Sequence, residues 1–200
     1  MRKKLCWSSL SRIGIFCLTL LAVTTLNAQE TRRIKVSDWR DRMQAGWVGQ
    51  MAGVAWGAPT EFKFNDVLVP EDKVPEWTPD MINHSFGQDD IYVEMTFLKT
   101  LEDYGFDCTW KQAGIDFANS QYDLWCANFA ARNNLRTGIA PPDSGHPKFT
   151  TCPNDIDYQI EADFAGLIAP GMPNTVIALG DKFGRIMNYS DGLYGGIFMG

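Results

Sequence analysis

Two adjacent carboxylates, Asp89 and Asp90, stand where the sequence predicts the start of a helix. From Ile91 to Tyr104 apolar residues recur at helical spacing, and Gly105 supplies a stop. A single aspartate would satisfy the cap and the dipole of a helix, whereas a second one adds repulsion between like charges. Adjacent carboxylates after a glycine turn also suit a hard cation, which takes several oxygen ligands. The pair therefore predicts either a capped helix start or a metal site, and the residues alone leave both open.

A third carboxylate, Glu61, follows a helix that carries small residues on one face. This helix is predicted to begin at Ser37 or Asp38 and to end at about Gly57. Its small residues fall four apart: Ala45, Gly49, Gly53 and Gly57. Glycine inside a helix costs about 1 kcal/mol relative to alanine, so the stripe predicts close packing against another backbone or a ligand. The polar residues of the same helix favour a soluble, buried helix over a membrane dimer: Asp41, Arg42, Gln44 and Gln50. The Gly-Ala-Pro turn that follows presents Glu61 from a rigid frame.

Four more polar side chains are candidates for contact with a substrate. Residues 154–169 are predicted to form one helix, with Asp155 and Asp157 at its start. Asn188 and Asp191 lie in the run Asn-Tyr-Ser-Asp-Gly, which is typical of a turn. The ordinary interpretation is a helix cap for the first two residues and a turn for the other two. Binding of a substrate is the secondary hypothesis for each of them.

The elements that must position these residues are predicted to be helical. Prolines interrupt residues 63–83, which therefore form an irregular segment. Helical spacing predicts helices near 110–119 and 122–133, and Pro173 begins another. A polar loop rich in proline and glycine covers 137–153. No segment alternates as a strand would, so the predicted fold is all-α.

The charge of the chain limits its partners. The chain of 200 residues is 45% hydrophobic and 21% charged, as globular proteins are. Its net charge is −6. Residues 1–28 hold four basic and no acidic residues. The remainder therefore holds 14 basic and 24 acidic residues, a net charge of −10. Such a domain lacks the cations that neutralise phosphates, so no nucleic acid is expected as a partner.

The N-terminus has the pattern of an export signal. A basic start, a mostly apolar run over 13–26 and the small residue Ala28 before Gln29 predict a signal peptide over 1–28. A mature leader (29–37) and a helical domain (38–200) would follow, in the periplasm or outside the cell. The apolar run is shorter than the roughly 20 residues of a membrane span and is interrupted by threonines, so no stable span is expected after cleavage. An uncleaved anchor is the alternative.

Three cysteines would remain in the mature chain: Cys108, Cys126 and Cys152. Their wide spacing predicts neither a disulfide framework nor a zinc site. One disulfide with one buried thiol, or three thiols, are both consistent with the sequence.

Residues 49–61 read GQMAGVAWGAPTE. With the downstream aspartate pair, this stretch resembles the ADP-ribosylglycohydrolases, the group that contains the dinitrogenase-reductase-activating glycohydrolase. Their opening motif is roughly Gly-x-x-x-Gly-Asp-x-x-Gly-x-x-x-Glu, from which this chain departs at Val54. Their second motif is Thr/Ser-Asp-Asp-Thr, and here Gln88 and Ile91 replace its hydroxyl residues. The resemblance covers about residues 38–200.

The resemblance implies a compact all-α domain with a two-metal cleft that hydrolyses a glycosidic bond of an ADP-ribosyl or related ribosyl or glycosyl substrate. Gln88, Asp89 and Asp90 would bind Mg²⁺ or Mn²⁺, with two ions in the complete protein. Glu61 would be the catalytic residue that orients the substrate or the attacking water. The implied partner is a small-molecule or ADP-ribosylated substrate. The family's later aspartate cluster lies outside these 200 residues, so the chain is expected to be an N-terminal portion of a longer protein.

A non-catalytic, small-molecule-binding envelope protein that retains the fold, as crystallin-like relatives do, is the alternative. The changed positions in the two motifs favour this alternative. The retained carboxylates favour the hydrolase, because an inactive scaffold has no physical need for adjacent buried acids.

Overall fold

The computed structural model describes residues 31–200, so the predicted signal peptide lies outside the described residues. Residues 40–200 form one compact unit, and the described residues 31–39 belong to a separate unit. In the separate unit, residues 31–35 precede the start of a helix at Val36. The unit of residues 40–200 is described below.

Helices make up the regular structure of the described residues, and no strand occurs within 31–200. The predicted all-α fold is therefore confirmed. The α-helices are α1 (Val36–Gly57), α2 (Asp89–Tyr104), α3 (Trp110–Asn119), α4 (Cys126–Arg136), α5 (Asp157–Ile160), α6 (Asp163–Ile168), α7 (Pro173–Gly184) and α8 (Ser190–Met199). Short 3₁₀ turns lie at Ala58–Thr60, Glu71–Lys73, Pro79–Gly87 and Asp143–Gly145.

Local signals set the ends of several helices. Gly105 ends α2 with a φ of 74°, a left-handed conformation that glycine adopts without strain. Thr109 caps α3 through a capping box, in which its hydroxyl accepts from the Gln112 N–H at 3.2 Å. The Gln112 side chain in turn accepts from the Thr109 N–H at 2.7 Å. These two ends match the positions that the sequence predicts.

Aromatic side chains from several helices form the core. Phe97 of α2 lies at its centre, and its ring centroid is 5.0 Å from that of Phe183 and 5.7 Å from that of Phe164. Phe117 and Tyr158 are also fully buried beside Phe97. Because α2 supplies the central ring, packing fixes the helix whose first residues are Asp89 and Asp90.

The small-residue stripe does not pack as predicted. Ala55 is the one buried residue of α1, so the helix is not the buried element that the sequence predicts. A Cβ atom added at Gly49, Gly53 or Gly57 would meet no described atom within 4 Å. The close approach occurs instead at Gly46, where an added Cβ would lie 2.3 Å from the Leu167 side chain.

The single helix predicted over 154–169 is also wrong, because the structure has two short helices, α5 and α6, in this segment. The break falls at Glu161 and Ala162. The Asp163 N–H, which begins α6, donates to the Glu94 carboxylate at 2.8 Å rather than to a carbonyl one turn earlier. A long-range contact from α2 therefore interrupts the helix.

The segment that joins α1 to α2 is mostly exposed. It shows several apolar side chains to solvent, including Phe62 at 83% and Leu68 at 93% exposure. The Trp56 indole N–H donates to the Pro75 carbonyl at 2.7 Å, which attaches the segment to the end of α1. No helix within residues 31–200 combines the length and the apolar composition that a bilayer span requires.

Candidate active site

Three of the predicted site residues lie together in one cleft. The cleft has a volume of about 300 Å³, and Glu61, Gln88 and Asp90 line it. Glu61 comes from the end of the 3₁₀ turn after α1, whereas Gln88 and Asp90 come from the start of α2. Glu61 and Gln88 are thus 27 positions apart in the chain, yet the side-chain oxygens of Glu61, Gln88 and Asp90 lie around the same space.

Gln88 is the N-cap residue of α2, but no side chain caps this helix. The Gln88 carbonyl accepts from the N–H of Ile91 at 3.1 Å, and its side chain faces the cleft. Asp89 and Asp90 follow in the first turn. The helix start therefore does not use an aspartate as its N-cap.

The Asp90 carboxyl is in an unfavourable environment for its charge. Burial raises the pKa of Asp90 to about 6, and repulsion from Asp89 and Glu61 acts in the same direction. A hydrogen bond from the Asp90 backbone N–H to the carboxylate lowers this pKa, but by less than burial raises it. The carboxylates at this cleft thus repel one another in the absence of a nearby cation.

The residues of the cleft fit a hard divalent cation. Besides Glu61, Gln88 and Asp90, the lining comes from small or uncharged residues: Val54, Gly57, Ala58 and Thr60. No basic side chain is among these lining residues, so none of them balances the acids. Carboxylate and amide oxygens are the ligands that Mg²⁺ and Mn²⁺ take in proteins. Val54 presents an apolar side chain where the resembled motif has aspartate.

A second group of acids is buried inside the protein. Glu94 and Glu161 are fully buried, and one oxygen of each carboxyl group has no hydrogen-bond partner in the described structure. Burial raises the pKa of Glu94 to about 8 and raises that of Glu161 well above its usual range. The fully buried Asn128 amide donates to the other Glu161 oxygen. Asp89 contributes to the repulsion at Glu161, which connects this group to the aspartate pair.

The sequence reasoning did not select Glu94, Asn128 or Glu161 as site residues. Spacing offers a signal for two of them, because Glu94 is four residues after Asp90 and Glu161 is four residues after Asp157. Residues four apart lie on the same face of a helix. Asn128 has no comparable signal, because its contact with Glu161 depends on the packing of α4.

Asp89 and the other predicted site residues are not among those that line the cleft. Asp89 lies next to Asp90 in the first turn of α2. Asp157 is buried, and its carboxylate accepts from the Asn128 N–H at 3.0 Å, near the start of α4. Asn188 is fully buried: its side chain accepts from the Tyr158 N–H at 2.9 Å and donates to the Asp155 carbonyl at 2.8 Å. Asp155 lies near two cysteines, and Asp191 is exposed in the first turn of α8.

Comparison with known protein families agrees with the all-α fold. No curated protein and no solved structure matches the chain. A sequence model of the ADP-ribosylglycohydrolase family matches residues 35–200, which include the whole cleft and all of the helices from α2 to α8. The chain therefore belongs to the ADP-ribosylglycohydrolase family.

Proposed function

We propose that this protein hydrolyses a glycosidic bond of an ADP-ribosyl or related ribosyl or glycosyl substrate in the cleft beside Glu61 and Asp90. Family membership supports the glycohydrolase class. The observation that carries the site is the meeting of Glu61 with Gln88 and Asp90, which come from separate segments and line one cleft.

The cleft also supports dependence on a metal. Gln88, Asp89 and Asp90 would hold Mg²⁺ or Mn²⁺. A bound dication supplies charge neutralisation and polarises oxygen atoms. The absence of a basic residue among the lining residues is the feature that favours this dependence.

Glu61 has the position of a group that acts on the substrate. Its carboxylate is exposed at the cleft, and the backbone N–H of Glu61 donates to the Ala58 carbonyl at 3.3 Å, which holds the turn. Cleavage of a glycosidic bond passes through a state with positive charge on the sugar ring, which a nearby carboxylate stabilises. We assign Glu61 to this stabilisation or to the orientation of the attacking water.

The test separates metal binding from turnover. Mn²⁺ affinity is measured by equilibrium titration, and hydrolysis is measured as release of ADP-ribose from an ADP-ribosylated peptide. We expect Asp90→Asn to abolish Mn²⁺ binding, because it removes a charged oxygen ligand. Glu61→Gln should keep Mn²⁺ affinity and lower kcat by about 100-fold or more, the usual contribution of a positioned carboxyl group.

Asp80→Asn is the matched control, since it removes one exposed carboxylate from the 3₁₀ turn before α2 and leaves the cleft lining unchanged. It should bind Mn²⁺ as the wild type does. Unchanged Mn²⁺ affinity in Asp90→Asn would remove this residue from the ligands. Unchanged turnover in Glu61→Gln would refute its catalytic role, and tight binding of ADP-ribose without hydrolysis by the wild type would refute the proposed reaction.

A further inference from the structure

Three potential metal ligands lie close together near the start of α4. The Sγ atoms of Cys126 and Cys152 and a carboxylate oxygen of Asp155 all lie within 4.8 Å of one another. All three cysteines of the described residues are free thiols. Ligand atoms in a tetrahedral zinc site are about 3–4 Å apart, given zinc–ligand distances of roughly 2.0–2.3 Å. One zinc ion can therefore contact all three groups after small side-chain rotations.

The turn that carries two of these ligands is built independently of any ion. The N–H of Asp155 donates to the Cys152 carbonyl at 3.3 Å, which closes the turn. The buried Asn188 amide donates to the carbonyls of Pro153 and Asp155, at 3.1 and 2.8 Å. The Cys152 N–H donates to the Thr150 hydroxyl at 3.1 Å. Hydrogen bonds thus hold the backbone under Cys152 and Asp155 before a metal binds.

The third ligand is held in an uncommon backbone conformation. Cys126 is the first residue of α4 and has a φ of 35°, in the left-handed region that non-glycine residues rarely occupy. Asp157 holds the start of the same helix through the Asn128 N–H. The Cys126 Sγ atom lies within 4.8 Å of an Asp155 carboxylate oxygen, so the two groups are close together. Strained residues of this kind concentrate at binding sites.

The donor set selects the metal. Thiolate sulfur favours Zn²⁺ over Mg²⁺ or Mn²⁺, which take oxygen ligands. We propose that Cys126, Cys152 and Asp155 bind one Zn²⁺ ion, with a water molecule as the fourth ligand because Cys126 is exposed. On binding, each thiol forms a Zn–S bond and releases its proton to solvent. The ion would join the start of α4 to the turn at 152–155, and it is distinct from the oxygen-lined cleft.

Cobalt(II) is the probe, because it replaces zinc and reports on its ligands by absorption. The full chain is reduced, freed of metal and titrated with Co²⁺ without oxygen. We expect one Co²⁺ per chain with a thiolate charge-transfer band in the near ultraviolet and tetrahedral visible bands, both removed by added Zn²⁺. Cys126→Ser and Cys152→Ser should lose the charge-transfer intensity. Asp155→Asn should weaken binding by about tenfold or more.

Two controls make the result specific. Cys108→Ala removes the cysteine outside the cluster and should leave the thiolate bands unchanged. Asp90→Asn should also leave them unchanged, because cobalt in an oxygen-lined cleft gives no thiolate band; failure of the hydrolase proposal therefore does not affect this test. Absence of thiolate bands in the reduced wild type, or their persistence in Cys126→Ser, would overturn the proposal. A Cys126–Cys152 disulfide that mass spectrometry finds to re-form even with excess Zn²⁺ present would overturn it as well.

Discussion

Glu94 is a buried carboxyl group that the fold keeps in its neutral form near physiological pH. Its side chain is fully buried on α2, and one of its oxygens accepts from the Asp163 N–H at 2.8 Å. Burial, followed by repulsion from Asp163, raises the pKa of Glu94 to about 8 from an ordinary value of 4.5. The folded state therefore binds a proton that the unfolded chain has already released in this pH range.

This difference gives a prediction for the free energy of unfolding. Between about pH 5 and pH 8 the folded state holds one more proton at Glu94 than the unfolded state does, so its contribution to stability falls as pH rises. Glu94→Gln keeps an oxygen for the Asp163 N–H but cannot ionise. Relative to the wild type, it should gain roughly 1 kcal/mol of stability per pH unit over this range.

Urea unfolding at several pH values measures this difference. Glu102→Gln is the matched control, because Glu102 is exposed on the same helix; its pH dependence should follow that of the wild type. Parallel curves for Glu94→Gln and the wild type would show that Glu94 is ionised in the folded protein.

Whole elements show which parts of this fold the sequence could predict. The ends of α2 and α3 were predictable, because Gly105 and Thr109 are local signals that act within one turn. The break between α5 and α6 was not, because it depends on the carboxylate of Glu94, which lies 69 residues before Asp163. The candidate site divides in the same way. Motif spacing predicted Glu61 and Asp90, which line one cleft, whereas Asn128 contacts Glu161 through tertiary packing that no motif indicates.

The 3₁₀ turn at Asp143–Gly145 supports the turn that holds Asn188. A Cβ atom added at Gly145 would lie 2.7 Å from the Met187 carbonyl carbon and 2.8 Å from the Asn188 nitrogen, both backbone atoms. The Ser144 hydroxyl donates to the Ile186 carbonyl at 2.7 Å in the same contact. A side chain at position 145 must therefore move the backbone that carries Asn188.

We expect Gly145→Ala to lower the free energy of unfolding by about 1–3 kcal/mol, the usual cost of overpacking a filled site. Gly49→Ala is the control, because the added methyl group meets no described atom within 4 Å and alanine favours the helix. It should raise the free energy of unfolding by up to about 1 kcal/mol. Chemical denaturation of both variants measures the two effects. Equal stability of Gly145→Ala and the wild type would mean that the loop yields without cost.

At the scale of the whole molecule, the charge is divided unevenly between the N-terminus and the rest. Residues 1–28 carry four basic residues and no acidic one, whereas the remainder has 14 basic and 24 acidic residues. We propose that residues 1–28 direct export and are then removed, which leaves an acidic protein in the periplasm or outside the cell. This member of the ADP-ribosylglycohydrolase family would then act on a substrate that occurs in the periplasm or outside the cell.

Expression of the full chain in a bacterium tests this proposal. The protein should appear in the periplasm or the medium, with Gln29 as its first residue by N-terminal sequencing. Deletion of residues 2–28 is the control and should keep the protein in the cytoplasm. Recovery of the full chain from the cytoplasm with residues 1–28 still attached would contradict the proposal.

The exposed segment between α1 and α2 makes the cleft sensitive to proteolysis. Glu61 and Asp90 lie on opposite sides of this segment, which includes the exposed Lys63 and Lys73. Exposed segments are the preferred sites of protease cleavage. A cut after Lys73 would leave the core rings around Phe97 on a continuous chain but would separate Glu61 from it. In α1 only Ala55 is fully buried and Trp47 packs partly buried against the core, so few apolar side chains would hold the released segment in place. A single cleavage can therefore divide the cleft while the helical core stays folded.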